Sequence, residues 1–231
     1  MGTKFCLTFA LKESIEDDPI DALSVREDPM HPFYHDILLD RDGTVIEDRH
    51  YLHDPDQIRF LPGALPGLQA LVRAGCRLFV VTNQSGIGRG YFSRDDYDNV
   101  ERRLDHLLAR HGVVLSASVY CPHSPSDTCS CRKPAPGLVQ TLIEHHGLQP
   151  RRSIVIGDKK SDIRLAETAG LGGGILVATG KGRQEAEHLG CPPLGEEAYL
   201  ECEQSPAGAP VLFARDLEAA AEWILKAPPA A

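Results

Sequence analysis

The stretch DRDGT places two carboxylates, Asp40 and Asp42, two residues apart at the end of the apolar run DILLD, residues 36–40. Two carboxylates at the tip of a buried strand repel each other unless a cation or a shared proton relieves them. Mg2+ suits that arrangement, because it takes hard oxygen ligands and keeps room for water and phosphate. The plain alternative is an Asp-rich turn that caps the segment after it. Two other stretches repeat the theme. VVTNQSGIGRGYF, residues 80–92, puts Thr82 and Asn83 at a strand tip ahead of a Gly-rich loop whose backbone N–H groups can face an anion. IVIGDKKSD, residues 154–162, puts Asp158 at a strand tip, Asp162 one helical turn on, and Lys159 between them. A flexible connection would explain the first and helix capping by Asp158 the second, but the three alternatives would then have to coincide at three strand ends.

A different chemistry gathers in CPHSPSDTCSC, residues 121–131. Cys121, His123, Cys129 and Cys131 form C-x-H-x5-C-x-C, four ligands of the type that closes a tetrahedral structural Zn2+ site. The spacing is tighter than the C-x2-C of zinc fingers, so reduced core cysteines or a disulfide stay open as alternatives. The next residues are Arg132 and Lys133. A loop of this polar, Pro-punctuated composition buries too little apolar surface to hold itself rigid, and zinc can fix it where packing cannot. The other cysteines, Cys6, Cys76, Cys191 and Cys202, form no such constellation, and Cys76, opening a strand, is expected in the core. His106, His111, His145, His146 and His188 lie in or beside helices and read as solvated or locally satisfied.

The elements that must position these groups alternate between β-rich runs and helical patterns, the sequence form of βαβ units. Strands are expected at 36–40, 76–82, 116–120, 152–157, 173–179 and 211–214, and helices near 64–74, 93–110, 136–147 and 160–169. Ser93 marks one helix start and Pro136, as a first-turn proline, another. Leu217, Ala220, Ala221, Ile224 and Leu225 fall at helical spacing and read as core, with Trp223 at the edge of the stripe. The expected architecture is α/β, a doubly wound and mainly parallel sheet, whose ligands gather at the carboxyl ends of the strands. Residues 1–33 read as an N-terminal extension, 34–190 as the core, 191–210 as an insertion or loop, and 211–231 as a strand and helix that complete the core.

The chain has 231 residues and a formal net charge of -9. That acidity argues against a nucleic-acid or anionic-membrane partner, which needs clustered Lys and Arg. Residues 5–11 lack a cleavage pattern, Cys6 breaks the myristoylation pattern, and no apolar run is long enough to span a bilayer. A cytoplasmic protein is expected, with its thiols reduced. It reads as a monomer, with a dimer left open.

The ordered set DRDGT, TNQSG, RKP and GDKKSD resembles the haloacid dehalogenase superfamily of phosphatases over roughly residues 35–182, with little or no cap domain. Within it, SGIGRGYF and DRHYLHDPDQIRFLPG, residues 48–63, are similar to the heptose-bisphosphate phosphatases, with the histidinol-phosphatases as the neighbouring alternative. The resemblance implies an Mg2+-dependent phosphatase of a small sugar phosphate. Asp40 would be its nucleophile and Asp42 its general acid and base, with Thr82 and Lys133 clamping the phosphoryl group. It places Mg2+ on Asp40, Asp158 and the backbone carbonyl of Asp42, and structural Zn2+ on Cys121, His123, Cys129 and Cys131. Asp48, Tyr51, Asn83, Gln84, Ser85 and Lys159 match positions that contact substrate, Arg132 is the candidate for a second phosphate, and Asp162 would orient the metal or Lys159. A zinc-stabilised binding module without catalysis is the alternative of a different class.

Overall fold

The computed structural model describes residues 34–202 and 211–226, so the expectation for 1–33 and part of that for 191–210 lie outside the described residues. Seven strands form one sheet: β1 (Asp36–Leu39), β2 (Arg77–Asn83), β3 (Ala117–Cys121), β4 (Ser153–Gly157), β5 (Gly173–Val177), β6 (Tyr199–Glu201) and β7 (Val211–Ala214). Their order is β3-β2-β1-β4-β5-β7-β6, parallel except for the edge pair β6 and β7. β1, β4 and β5 are buried along their whole length, which is why they read as unbroken apolar runs and not as alternating ones.

Side chains alternate across the pleat. Ile37, Leu39, Val80, Ile154 and Ile156 face one layer, where α1 (Ala64–Arg73), α3 (Arg94–Arg110) and α7 (Leu217–Lys226) supply Leu68, Leu104 and Ile224. Leu38, Phe79, Val81 and Val155 face the other, where α4 (Gly137–His146) and α5 (Lys160–Thr168) supply Leu138, Leu142 and Leu165. Ser93 caps α3 through a box in which its hydroxyl accepts from Asp96 N and Asp96 accepts from Ser93 N.

Several expectations need correction. Pro136 is the cap residue before α4 rather than its first turn. Leu225 is exposed, and Ala219 takes its place in the buried stripe of α7. Two short helices, α2 (Ser85–Gly88) and α6 (Gly182–His188), were not expected. The stretch from 191 is not all loop: β6 lies in it, and Cys191 and Cys202, expected as reduced thiols outside the metal cluster, form a disulfide that ties the end of β6 back to the segment just after α6. Cys76 is buried as expected. Among the described residues, no helix is long and apolar enough to cross a membrane.

Candidate active site

The order in which strands are added reverses between the parallel neighbours β1 and β4: the connections from β1 run outward through β2 and β3, and those from β4 run the other way through β5. A sheet that switches direction opens a crevice at the carboxyl ends of those two strands. Asp40 follows β1, and its N–H is held by Ile156 O at 2.9 Å. Asp158 follows β4. Asp40 opens onto a cleft of about 530 Å³ also lined by Asp42, Asp48, Tyr51, Thr82, Asn83, Gln84, Ser85, Arg132, Lys133 and Lys159, and Asp158 is buried beneath it. Except for Asp158 and Asp162, which lie beneath it, every residue expected to act on substrate or Mg2+ lines this one cleft.

Beneath the cleft, carboxylate oxygens of Asp40, Asp158 and Asp162 lie within 4.8 Å of one another, all buried. Two ammonium groups answer them. Lys133 Nζ donates to Asp40 Oδ1 at 2.8 Å and to Val81 O at 2.6 Å, and pairs with Asp162 Oδ1 at 2.6 Å. Lys159 Nζ donates to Asp158 Oδ1 at 2.7 Å, to Asp42 O at 2.9 Å and to Asp40 Oδ2 at 3.2 Å. Burial alone would raise the Asp40 carboxyl, but the two lysines more than offset it and hold it well below the usual carboxylate range. Asp158 goes the other way: burial, and then the charge of Asp40, push it up to about 7. Asp162 is also raised, by burial first.

With all three ionised, the buried carboxylates against two ammonium groups would leave one negative charge in excess, which either a proton on Asp158 or a cation relieves. The oxygens of Asp40, Asp42 O and Asp158 form a hard-donor cradle of the kind Mg2+ takes, and Lys159 Nζ already lies in it as a monovalent stand-in. The donor set fits a divalent ion.

Local chain geometry explains the cradle. Gly43 and Gly180 both have positive φ, +95° and +53°, and a Cβ on either would lie 2.1 or 2.2 Å from Asp158 Oδ2. Only glycine lets two loops close on that carboxylate. Lys181 N donates to Asp158 Oδ2 at 2.9 Å, and Thr179 Oγ1 donates to Gly43 O at 2.7 Å, so the loop after β5 clasps the loop after β1. This loop was missed from the sequence, although VATGKG, residues 177–182, carries the same strand-tip glycine signal as TNQSG. Lys181 and Ser161 also line the cleft.

Three expected substrate contacts are committed, at least in part, to neighbouring groups. The Asn83 amide spans the backbone of Lys133, with Nδ2 donating to Lys133 O at 3.2 Å and Oδ1 accepting from Lys133 N at 3.0 Å. Gln84 Nε2 donates to Asp42 Oδ2 at 2.8 Å and to Thr82 Oγ1 at 2.9 Å. Asp48 Oδ1 accepts from His50 N at 3.1 Å, in a turn where His50 and Tyr51 take positive φ, 46° and 67°. Asp162, expected to orient the metal or Lys159, accepts from Lys159 N at 3.1 Å and pairs with Lys133 Nζ.

Cys121, His123, Cys129 and Cys131 also converge. Cys121 Sγ lies 3.7 Å from Cys129 Sγ, 3.2 Å from Cys131 Sγ and 3.5 Å from His123 Nδ1, and His123 Nδ1 lies 3.2 Å from Cys131 Sγ. Ligand bonds of about 2.3 Å to sulfur at tetrahedral angles would put sulfurs about 3.8 Å apart, so the cluster is near the size of a closed zinc site. Contact with Cys121 is the main cause that lowers the Cys131 thiol to about 5, a value at which it is a thiolate at neutral pH. Arg132 Nη1 donates to His123 O at 3.3 Å, which links the cluster to the cleft.

A family model described as HAD-hydrolase-like matches residues 130–195. The D-glycero-beta-D-manno-heptose-1,7-bisphosphate 7-phosphatase of Pasteurella multocida is 39% identical over 164 residues, which cover 66% of this chain and 89% of that protein. The enzyme of the same name from Haemophilus ducreyi is 41% identical over 152 residues, 63% of this chain and 84% of that protein. Among solved structures, the D,D-heptose 1,7-bisphosphate phosphatase of B. bronchiseptica, complexed with magnesium and phosphate, superposes with a TM-score of 0.70 at 33% identity, over 83% of this chain and 98% of that one. With sheet order, strand-tip carboxylates and these relatives in agreement, the chain belongs to the haloacid dehalogenase superfamily, in the family of the heptose-1,7-bisphosphate 7-phosphatases.

Proposed function

We propose that the protein hydrolyses the 7-phosphate of D-glycero-D-manno-heptose 1,7-bisphosphate through a phosphorylated Asp40. The observation that carries the reading is the convergence of Asp40, Lys133, Lys159 and Asp158 at the crevice between β1 and β4. Family membership supports the choice of sugar.

Asp40 is kept ionised by its two lysines and so is ready to attack phosphorus. As the bond from Asp40 to phosphorus forms, the bond from phosphorus to the sugar oxygen breaks, and Asp42 passes its proton to that oxygen. Asp42 then takes a proton from a water whose oxygen displaces Asp40, which returns both carboxyl groups to their starting forms. Thr82 and Lys133 hold the phosphoryl oxygens. Asp40, Asp158 and the carbonyl of Asp42 would hold Mg2+, which when bound offsets the repulsion between anionic nucleophile and anionic ester. Arg132 lies at the cleft wall where its fork can take the second phosphate. Zn2+ on the Cys121 cluster would fix the loop that delivers Arg132 and Lys133.

Phosphate release with Mg2+ is the test, measured across heptose 1,7-bisphosphates of both anomers, histidinol phosphate and other sugar phosphates, with Asp40→Asn as background. The expected result is a lead of about 100-fold in kcat/KM for a heptose bisphosphate, equivalent to ~2.7 kcal/mol of transition-state preference. A lead for histidinol phosphate, or no turnover of any ester, would overturn the substrate or the enzyme reading respectively.

A further inference from the structure

Arg41 stands between the two reacting aspartates in the chain, yet its side chain is fully buried and points away from the cleft into the sheet–helix layer. Its fork meets Asp42 on one side, with Nε 3.1 Å from Oδ2 and Nη2 3.0 Å from the same oxygen. On the other side Nη1 donates to Glu101 Oε1 at 2.7 Å. Glu101 belongs to α3, sixty residues away in sequence, and does not line the cleft. Its second oxygen accepts from Ser118 Oγ on β3 at 2.6 Å. The Tyr97 ring covers the guanidinium at 5.3 Å and itself packs on Tyr120 at 4.0 Å between centroids.

We infer that Glu101 is a positioning residue for the acid–base step, acting through Arg41 on Asp42; the inference rests on the phosphatase reading above. The contacts to Glu101 are the shorter ones, so the guanidinium is anchored on α3 and steers Asp42 rather than being steered by it. An arginine held by Asp42 alone could follow every rotation of that side chain. Held at its far end by Glu101, with Ser118 and Tyr97 fixing the frame, it restricts the orientation of Asp42, and Gln84 Nε2 donates to the same Oδ2 at 2.8 Å. Proton transfer to a leaving oxygen depends on placement within hydrogen-bond reach, which is what this frame supplies. A merely structural staple between α3 and β1 would instead influence stability and every substrate alike.

Leaving-group dependence separates the two. An alkyl ester leaves as an alkoxide and needs the Asp42 proton, whereas p-nitrophenolate leaves unaided. Because kcat/KM covers the steps only through departure of the leaving group, the later use of Asp42 as a base does not enter it. In the full chain with Mg2+, Glu101→Gln is expected to lower kcat/KM for the preferred sugar phosphate by about 10-fold or more, a fraction of the ~100-fold or larger contribution of a general acid. The value for p-nitrophenyl phosphate should stay within about 2-fold. Ser118→Ala, which keeps the Glu101 charge and frees one of its oxygens, should shift the ratio of the two esters the same way by less. If both variants leave the ratio at the wild-type value, whatever their common loss or change in melting temperature, the inference is overturned and the phosphatase reading stands. A wild-type protein that cleaves neither ester overturns both.

Discussion

Lys159 Nζ lies 2.7 Å from Asp158 Oδ1, inside the ring of oxygens that a divalent cation would occupy. The ammonium and a bound metal would therefore compete, and Lys159, which also lines the cleft, would be the group to give way. Lys159→Met should tighten Mg2+ or Mn2+ binding to the substrate-free protein by about 10-fold, ~1.4 kcal/mol, as read by titration calorimetry. Sugar-phosphate turnover should fall at the same time. Weaker metal binding in the variant would show that Lys159 supports the cradle instead.

Protons compete for the same place. The folded value of Asp158, about 7, lies above its ordinary 3.8, so the folded metal-free protein holds a proton there that the unfolded chain gives up. Its contribution to stability is full below pH 3.8 and is lost as pH rises through about 7. Metal binding must expel that proton, so Mg2+ affinity should climb by up to about 10-fold per pH unit toward neutrality and then level off. Calorimetry in buffers of different ionisation enthalpy measures the proton released; an affinity flat across the range from about pH 5 to about pH 8 would exclude Asp158 as the competing group.

Zinc in the Cys121 cluster predicts a separable defect. Cys129→Ser should abolish stoichiometric zinc measured by elemental analysis and lower kcat/KM by about 10-fold or more, since a closed site supplies on the order of 10 kcal/mol to a loop that cannot pack. Mg2+ affinity should stay within about 2-fold, because the cradle lies at the tips of β1 and β4. A zinc-free variant of full activity would remove the metal from the account.

Gly180 offers a test of the clasp around Asp158. Alanine there would put a Cβ 2.2 Å from Asp158 Oδ2 and 2.8 Å from Gly43 Cα, whereas Gly190, also at positive φ, has nothing within 4 Å. Gly190→Ala should cost about 1 kcal/mol of backbone strain and no metal affinity. Gly180→Ala should cost more stability and at least about 10-fold in Mg2+ binding; equal effects of the two substitutions would show that only backbone strain matters.

Much of the site was legible because chemistry and burial coincide at the strand tips. Ile37, Val80 and Ile154 announce parallel strands through apolar runs, and whatever polar residue comes after such a run in a doubly wound sheet faces the crevice. The frame around Asp42 was not legible. Glu101 lies on a helix dense in charge, where an acid is ordinarily solvated, and nothing local announces a partner sixty residues earlier. α6 escaped notice because only Gly182 and Ala186 of its seven residues are buried, too few for a helical stripe. The pairing of Cys191 with Cys202 was hidden by a Pro- and Glu-rich segment that shows neither the alternation of a strand nor the stripe of a helix.

The hydroxyl of Thr179 closes on the carbonyl of Gly43 across 136 residues of chain. During synthesis the segment of Asp40 and Gly43 precedes its clasp: at roughly 5–20 residues per second, a delay on the order of ten seconds separates them. A nascent or truncated chain ending before Thr179 carries Asp40 and Asp42 without the loop that holds Asp158 in place. Completion of the cradle around Asp158 thus waits on the synthesis of Thr179 and Lys181, long after Asp40 and Asp42 have left the ribosome.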